Sequence, residues 1–229
     1  MRTLLDTIED VSWDLYEEVK SKIDKNHILL DIGTGGGERV LEIAHHALLL
    51  IGIDKSLEMI NAANINLLKT NFSNVKFLQM SAEKLEFPDR FFDVISCRHC
   101  CFDSTEIFRV LGKNGVFLTQ NVSESDKLNI KEAFGRGQCF GQKDGKQKEI
   151  YLEELKKAGF SEVKSFDYDA KEYYQTPEDL IFLLKHTPII PDFGYDSMDF
   201  NILKTFIEQN KTEKGIYTNS KRYMIIAKK

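Results

Sequence analysis

The sequence predicts an α/β protein with a doubly wound, mostly parallel sheet and helices on both of its faces. Short apolar runs typical of strands alternate with segments of helical periodicity through most of residues 26–121. Several of these runs are apolar at nearly every position, which is typical of parallel strands covered on both sides. Right-handed crossovers place the loops that follow such strands at one edge of the sheet, where ligands bind.

The elements follow one another in a regular order. Residues 3–24, including Leu4 and Leu5, carry apolar positions at mostly helical spacing and predict one or two amphipathic helices. Seven strands are predicted over residues 27–32, 48–53, 75–79, 92–96, 115–120, 161–168 and 221–227. Helices are predicted over residues 38–46, 56–69 and 148–157. Ser56 is a suitable N-cap for the second of these, and Gly159 a suitable stop after the third.

Residues 169–220 interrupt the alternation before the last strand. The segment holds three of the four prolines, and Pro177 after Thr176 indicates the first turn of a helix that ends near His186. A second helix is predicted over residues 200–209. We therefore expect a helical insertion in an otherwise alternating chain.

Composition excludes several broad classes. The formal net charge of −5 argues against a surface that grips nucleic acid throughout, because phosphate binding needs clustered Lys and Arg. No run of about 18 apolar residues is present, so we predict no membrane span. The four cysteines have no secretory context, which favours reduced thiols in a cytoplasm. The oligomeric state is left open.

A glycine loop is the most informative local feature. Residues 33–37 (GTGGG) follow the first predicted strand, where glycine permits close backbone approach and positive φ. Asp54 closes the next strand 21 residues after Gly33, where a carboxylate accepts from ribose hydroxyls. Asp31 lies inside an apolar strand, where an ionised group needs a partner. The position that a dinucleotide site gives to its third glycine holds Glu38, which would repel a pyrophosphate. The pattern therefore favours a nucleoside ligand without phosphate.

Four segments together resemble the class I S-adenosylmethionine-dependent methyltransferases. They are residues 30–37 (LDIGTGGG), 52–59 (GIDKSLEM), 81–94 (SAEKLEFPDRFFDV) and 109–115 (RVLGKNG). The resemblance covers residues 28–121 and is specific for the superfamily rather than for a substrate. It implies a seven-stranded sheet whose last strand is antiparallel, and S-adenosyl-L-methionine as the cofactor.

The resemblance also implies roles for matching residues. Asp31 would orient the amino group of the cofactor, and Asp54 would hold its ribose. The loop residues Gly33, Thr34, Gly35 and Gly37 would surround the methionine portion, while Lys55 and Met59 belong to the second motif. The backbone of Ala82 would meet the adenine edge. Ser81 replaces the acidic residue that the family usually carries there, and Glu83 is a substitute acceptor for the adenine amino group.

Acceptor-side residues are expected after the fourth strand. His99 is the candidate general base, with packing or hydrogen bonding at a strand end as the alternative. Cys97, Cys100 and Cys101 superficially resemble a metal cluster, but no second pair of ligands follows at zinc-finger spacing. Buried thiols are the preferred interpretation, and no metal is predicted.

We interpret residues 1–229 as one domain. Residues 26–168 and 221–229 would form the cofactor-binding core, residues 1–25 a helical lid, and residues 169–220 a substrate or lid segment. His186, Phe193 and Tyr195 are the candidate acceptor contacts, with ordinary aromatic packing as the alternative.

Three functions are compatible with these patterns. The favoured one is a methyltransferase that acts on a small molecule. The second is an RNA or tRNA base methyltransferase that uses local charge at Arg136, Lys143, Lys146 and Lys148. The third is a non-catalytic protein that binds S-adenosylmethionine.

Overall fold

The computed structural model describes residues 6–229, so Leu4 and Leu5 of the predicted first helix lie outside the described residues. The strands are β1 Asp6–Glu9, β2 Ile28–Ile32, β3 Leu49–Asp54, β4 Val75–Gln79, β5 Phe92–Arg98, β6 Leu111–Val122, β7 Glu162–Tyr174, β8 Lys211–Thr212 and β9 Gly215–Lys228. The α-helices are α1 Leu15–Lys20, α2 Glu38–Leu41, α3 Leu57–Leu67, α4 Ser104–Val110, α5 Leu128–Phe134, α6 Lys146–Ala158, α7 Pro177–His186 and α8 Asp199–Asn210.

The chain forms two compact units. The larger comprises residues 13–121, 149–166 and 223–229, and the smaller comprises the remaining described residues, 6–12, 122–148 and 167–222. Strands β7 and β9 run through both units.

The larger unit contains the predicted sheet, in the order β7-β9-β6-β5-β2-β3-β4. Its central strand β2 is parallel to β3 on one side and to β5 on the other. Between β9 and β6, the Lys229 amide donates to the Gly115 carbonyl (3.1 Å), so the end of β9 lies beside the first half of β6. The last strand is therefore antiparallel, and the prediction of a seven-stranded, mostly parallel core is confirmed.

Apolar side chains cover both faces of this sheet. On one face, Ile95 and Phe117 pack with Ile107 of α4 and Leu155 of α6 in a buried cluster. On the other, Leu29 and Leu118 belong to a second buried cluster. Helices α1, α2 and α3 contribute Leu15, Val19, Val40, Ile60 and Ala63 to this second cluster. The burial of both faces explains why the strands read as continuous apolar runs.

The predicted helix boundaries are largely those of the structure. The Ser56 hydroxyl accepts from the Met59 amide (3.3 Å) at the start of α3, as an N-cap does. Thr176 caps α7 in the same way, accepting from the Asp179 amide (3.2 Å), with Pro177 in the first turn. Helices α4 and α5 were not predicted, since each is only seven residues long.

The amino-terminal segment differs from its prediction. Residues 6–9 form a strand that pairs antiparallel with β7, with Asp6 opposite Tyr174 and Glu9 opposite Lys171. Asp10 has a positive φ of 65°, which ends the strand, and only residues 15–20 are helical. Pairing with a distant strand has overridden the local helical periodicity.

The smaller unit has its own core. Helices α5, α7 and α8 bury apolar residues together, among them Ile130, Leu180, Leu184, Leu203 and Phe206. Strand β7 extends to Tyr174 and β9 starts at Gly215, so residues 169–220 hold more strand than predicted. Among residues 6–229, none of the helices combines the length and apolar character that a bilayer crossing requires.

A buried ion pair lies inside the smaller unit. The Lys127 ammonium contacts the Glu172 carboxylate, and these side chains are only 2% and 4% exposed. Lys127 also donates to the Asn219 carbonyl (3.1 Å), and the Tyr174 hydroxyl donates to Glu172 (2.8 Å). Although burial opposes ionisation, the adjacent Lys127 charge keeps the pKa of Glu172 below its usual range.

We expect Glu172→Gln to lower the free energy of unfolding by roughly 3–5 kcal/mol, because it leaves the Lys127 charge buried without its counter-ion. Urea unfolding at neutral pH measures the loss. The matched control is Glu9→Gln, which removes the carboxylate of the exposed Lys214–Glu9 pair and should change stability far less. Equal losses for the two variants would contradict this assignment.

Candidate functional site

The glycine loop connects β2 to α2 and is tied to the neighbouring strand. The amides of Gly33 and Thr34 both donate to the carbonyl of Ile53 (2.9 Å each), the penultimate residue of β3. Gly33, Gly35 and Gly37 have φ values of 71°, 55° and 76°. L-residues with a side chain rarely adopt this left-handed region, so the loop conformation requires glycine.

The three glycines differ in what lies beside them. A Cβ at Gly33 would be 2.7 Å from the Cβ of Cys100, and one at Gly37 would be 2.7 Å from the Phe77 ring. A Cβ at Gly35 would meet nothing within 4 Å. Gly33 and Gly37 are therefore needed for packing within the protein, whereas Gly35 borders open space that a ligand can enter.

Asp54 links this loop to the next helix. One carboxylate oxygen accepts from the Gly35 amide (3.0 Å) and the other from the Ser56 amide (2.9 Å). The side chain is half-buried at the end of β3. Because each carboxylate oxygen has two lone pairs, both retain capacity for further donors such as hydroxyl groups.

Asp31 is a buried carboxylate with one oxygen still available. The residue is 1% exposed, and its Oδ1 accepts from the hydroxyls of Ser96 (2.6 Å) and Tyr16 (3.4 Å). Its Oδ2 has no hydrogen-bond partner among residues 6–229. Burial raises the pKa of Asp31 to about 6, against the opposing effect of the nearby hydroxyls of Ser96, Thr34 and Tyr16. A buried acceptor of this kind calls for a donor, and a cation most of all.

The remaining predicted cofactor residues lie near the ends of β3 and β4. The Lys55 side chain is exposed, and its carbonyl accepts from the Gln79 amide group (3.1 Å). Met59 is 38% exposed on α3. In the loop after β4, the Ser81 hydroxyl accepts from the Glu83 amide (3.3 Å). Ala82 packs half-buried against the core, while the side chains of Ser81 and Glu83 are exposed.

His99 is held at the end of β5 by the neighbouring strand. Its amide donates to the Gln120 carbonyl (2.8 Å), and its ring Nε2 is 3.2 Å from the Gln120 side-chain nitrogen. With that nitrogen donating, Nε2 is the acceptor and the proton of the neutral ring is on Nδ1. His99 has a positive φ of 54°, and its side chain is exposed.

Several supporting residues were not predicted from the sequence. Tyr16 and Ser96 hold Asp31, Gln120 holds His99, and Asn66 holds the glycine loop by donating to the Gly36 carbonyl (2.9 Å). A polar residue inside an apolar strand was the available signal for Ser96. Parallel pairing places Ser96 directly opposite Asp31.

Glu38 has a structural contact in addition to the role that the sequence suggested. Its Oε1 accepts from the Asn66 side chain (3.1 Å), which is the same amide group that holds Gly36. The Glu38 carboxylate therefore stabilises the glycine loop indirectly, by holding the Asn66 side chain that donates to Gly36.

The predicted acceptor contacts in the smaller unit have different environments. Phe193 is 7% exposed and packs against Phe134 and Phe200. Tyr195 is 90% exposed. His186 is exposed at the end of α7, where its Nδ1 lies 2.8 Å from the Phe182 carbonyl. Phe193 thus has the core environment of ordinary packing, and His186 and Tyr195 are accessible from solvent.

Comparisons with known proteins place the chain among methyltransferases. A family model described as a methyltransferase domain matches residues 23–168. The uncharacterized methyltransferase YcgJ of Bacillus subtilis (strain 168) is 36% identical over 99 residues, which are 40% of this chain and 39% of YcgJ. The sequence match therefore spans about two fifths of that relative's length.

Solved structures share the fold. The crystal structure of YcgJ superposes with a TM-score of 0.66 at 22% identity, covering 94% of this chain and 97% of YcgJ. A putative methyltransferase from Bacillus halodurans superposes with a TM-score of 0.65 at 20% identity, covering 94% and 98%. At these identities the superpositions establish likeness of fold.

Substitutions at two loop glycines separate backbone strain from collision. Gly33→Ala adds a clash with Cys100 to the strain of a positive φ, and we expect a loss of roughly 2–5 kcal/mol in the free energy of unfolding. The matched control Gly35→Ala carries the strain alone and should cost roughly 1–2 kcal/mol. Chemical denaturation of both variants measures the difference. A Gly35→Ala loss as large as that of Gly33→Ala would argue against the packing described here.

Proposed function

Because the chain belongs to the class I S-adenosylmethionine-dependent methyltransferases, we propose that it transfers a methyl group from that cofactor to a small-molecule acceptor. The family membership rests on the match over residues 23–168, while the acceptor class is our inference from charge and from the site.

The available oxygen of Asp31 is the observation that carries the proposal. A buried carboxylate oxygen without a donor fits the ammonium group of the methionine portion, which would provide both a charge and hydrogen bonds. The nearby Thr34 hydroxyl is also buried without a partner among residues 6–229. The open space at Gly35 admits a ligand against the loop backbone. The residues present therefore fit the cofactor.

The other cofactor contacts follow from position. We assign the ribose to Asp54, whose carboxylate oxygens retain lone pairs, and the adenine edge to the segment of Ser81, Ala82 and Glu83. Lys55 and Met59 flank Asp54 on its carboxyl side. Glu83 supplies the charge that Ser81 lacks, and both side chains are exposed and accessible to a ligand.

When bound, the cofactor supplies an electrophilic methyl group on a sulfonium, and the protein contributes mainly by positioning the reactants. We assign His99 to the acceptor side of the site. Its Nε2 is engaged by Gln120. To act as a base for an acceptor proton, the ring must exchange its Gln120 contact for one with the acceptor.

Charge distribution supports a small acceptor over RNA. Arg136 makes two hydrogen bonds to the carboxylate of Asp199 (2.9 and 3.0 Å), and Lys148 makes two to Asp167 (2.7 and 2.8 Å). Two of the four cations expected to contact RNA are thus neutralised within the smaller unit.

We propose a cytoplasmic location, consistent with four free cysteines.

We assign recognition of the acceptor to residues 169–220, in which the side chains of His186 and Tyr195 are accessible. The lid role proposed for residues 1–25 now falls on α1, whose Tyr16 hydroxyl contacts Asp31.

Transfer of isotope-labelled methyl groups tests the function. The purified protein is incubated with methyl-labelled S-adenosylmethionine and with a cell extract separated into small-molecule, RNA and protein fractions. We expect label in the small-molecule fraction, and markedly less with Asp31→Ala. Label in RNA would favour the second function, and cofactor binding without label in any fraction would favour the non-catalytic one.

The affinity for S-adenosylhomocysteine should depend on the ionisation of Asp31. The free protein holds this carboxyl with a pKa of about 6, and an ammonium group binds its ionised form. Binding should therefore be constant well above pH 6 and weaken below it, approaching about tenfold per pH unit. Calorimetry across this window measures the dependence.

Asp31→Asn is the control, and it should bind weakly without the inflection. The raised pKa also predicts that the apoprotein loses stability as pH rises from about 4 to 6, because the folded state holds the Asp31 proton more tightly than the unfolded chain. Wild-type affinity that stays constant through pH 6 would contradict the assignment of the ammonium group to Asp31.

A further inference from the structure

Two cysteines flank the turn that follows β5, in the arrangement Cys97-Arg98-His99-Cys100. Cys97 is fully buried, and its thiol donates to the Cys100 carbonyl (3.3 Å). Cys100 is half-buried, so reagents can reach one member of the pair. This spacing brings two thiols together in a short turn, as in Cys-X-X-Cys redox motifs.

Cys100 also lies directly against the glycine loop. A Cβ placed on Gly33 would be 2.7 Å from the Cβ of Cys100 and 3.2 Å from its sulfur. The absence of a side chain at Gly33 is what allows this contact. A displacement of the Cys100 side chain would therefore alter the packing of the loop that carries Thr34 and Gly35.

We propose that Cys97 and Cys100 form a reversible intramolecular disulfide that weakens binding of the adenosyl cofactor. The formation of the bond is inferred from the contact between Cys97 and Cys100, whereas its effect on the cofactor rests on the function proposed above.

The chemistry can be written with glutathione disulfide as the oxidant. The neighbouring Cys97 side chain lowers the pKa of Cys100, while proximity to Cys100 and burial raise the pKa of Cys97. The Cys100 thiolate attacks one sulfur of glutathione disulfide and releases a glutathione thiolate. Cys97 then loses its proton and attacks the Cys100 sulfur of the mixed disulfide, releasing the second glutathione. Two protein thiols are oxidised, and one glutathione disulfide is reduced to two thiols.

Closure of the bond must move Cys100. A disulfide holds its sulfurs about 2.05 Å apart with a dihedral angle near ±90°. The Cys100 sulfur now donates to the Cys101 carbonyl (3.3 Å), and it must leave that contact to bond with Cys97. Because packed interiors transmit such shifts, a rearrangement of the Cys100 side chain beside Gly33 would alter the packing of the loop.

Across the described chain, residues 6–229, no group of three His, Cys, Asp or Glu side chains is arranged to hold a metal ion. The adjacent Cys101 is exposed and lies outside the pair, so it can be replaced without removing either thiol.

The test uses the full chain with Cys101→Ser and Cys139→Ser, so that Cys97 and Cys100 are the two remaining thiols. After incubation with glutathione disulfide, intact-mass spectrometry should show the loss of two protons and no bound glutathione. Calorimetry with S-adenosylhomocysteine should show affinity reduced by about tenfold, within the usual range for coupled sites. Dithiothreitol should restore it. Adding Cys100→Ser should abolish both the mass change and the effect of the oxidant on affinity.

Because the coupling between oxidation and cofactor binding is reciprocal, the redox potential of the cysteine pair gives a second measurement. If oxidation weakens binding tenfold, saturating S-adenosylhomocysteine must favour the reduced form and raise the midpoint potential of the pair by about 30 mV. Absence of a Cys97–Cys100 disulfide overturns the switch alone, and a disulfide that leaves affinity unchanged overturns the coupling. Failure of the reduced protein to bind S-adenosylhomocysteine overturns the cofactor assignment and, with it, the coupling.

Discussion

The candidate site depends on the position of β2 between two parallel neighbours. In this register Asp31 lies opposite Gly52 of β3 and Ser96 of β5. Ser96 supplies a hydroxyl to the carboxylate, and Gly52 leaves room for Thr34, whose hydroxyl would lie 2.8 Å from a Cβ at that position. A shift of one residue would turn each of these side chains to the opposite face. The pairing of three strands thus determines which groups can meet at the loop.

The buried carboxylate of Asp31 accepts fewer hydrogen bonds than are needed to stabilise its charged form. Two hydroxyls reach one oxygen and none reaches the other, so burial dominates and raises the pKa to about 6. A third donor from the protein would stabilise the apoprotein, but it would also occupy the position that a cationic ligand needs. Incomplete solvation in the apoprotein and the affinity that we propose for an ammonium group would therefore be two consequences of one arrangement.

Much of this architecture was predictable, because the strongest signals are local. The core strands were predicted close to their observed bounds, and the glycine loop with Asp31 and Asp54 stands out by motif. Contacts between positions distant in the sequence were not predictable. Tyr16 and Ser96, for example, lie 15 and 65 residues away from Asp31, which both of them contact. The strand at residues 6–9 was predicted as helix for the same reason, because its partner lies more than 160 residues away.

Gly33 lies next to both groups to which we assign a chemical role, the Asp31 carboxylate and the Cys100 thiol. Its amide is bonded to β3, the buried carboxylate of Asp31 is two residues before it, and the Cys100 side chain rests on its Cα. Because the residue has no side chain, the two groups for which we propose proton and oxidant sensitivity both lie against one short segment. In these proposals, ionisation of Asp31 would change the charge offered to the cofactor, whereas oxidation of Cys100 would change the position of the loop. The Asp31 charge opposes ionisation of both thiols, so the two effects on affinity should be coupled rather than independent.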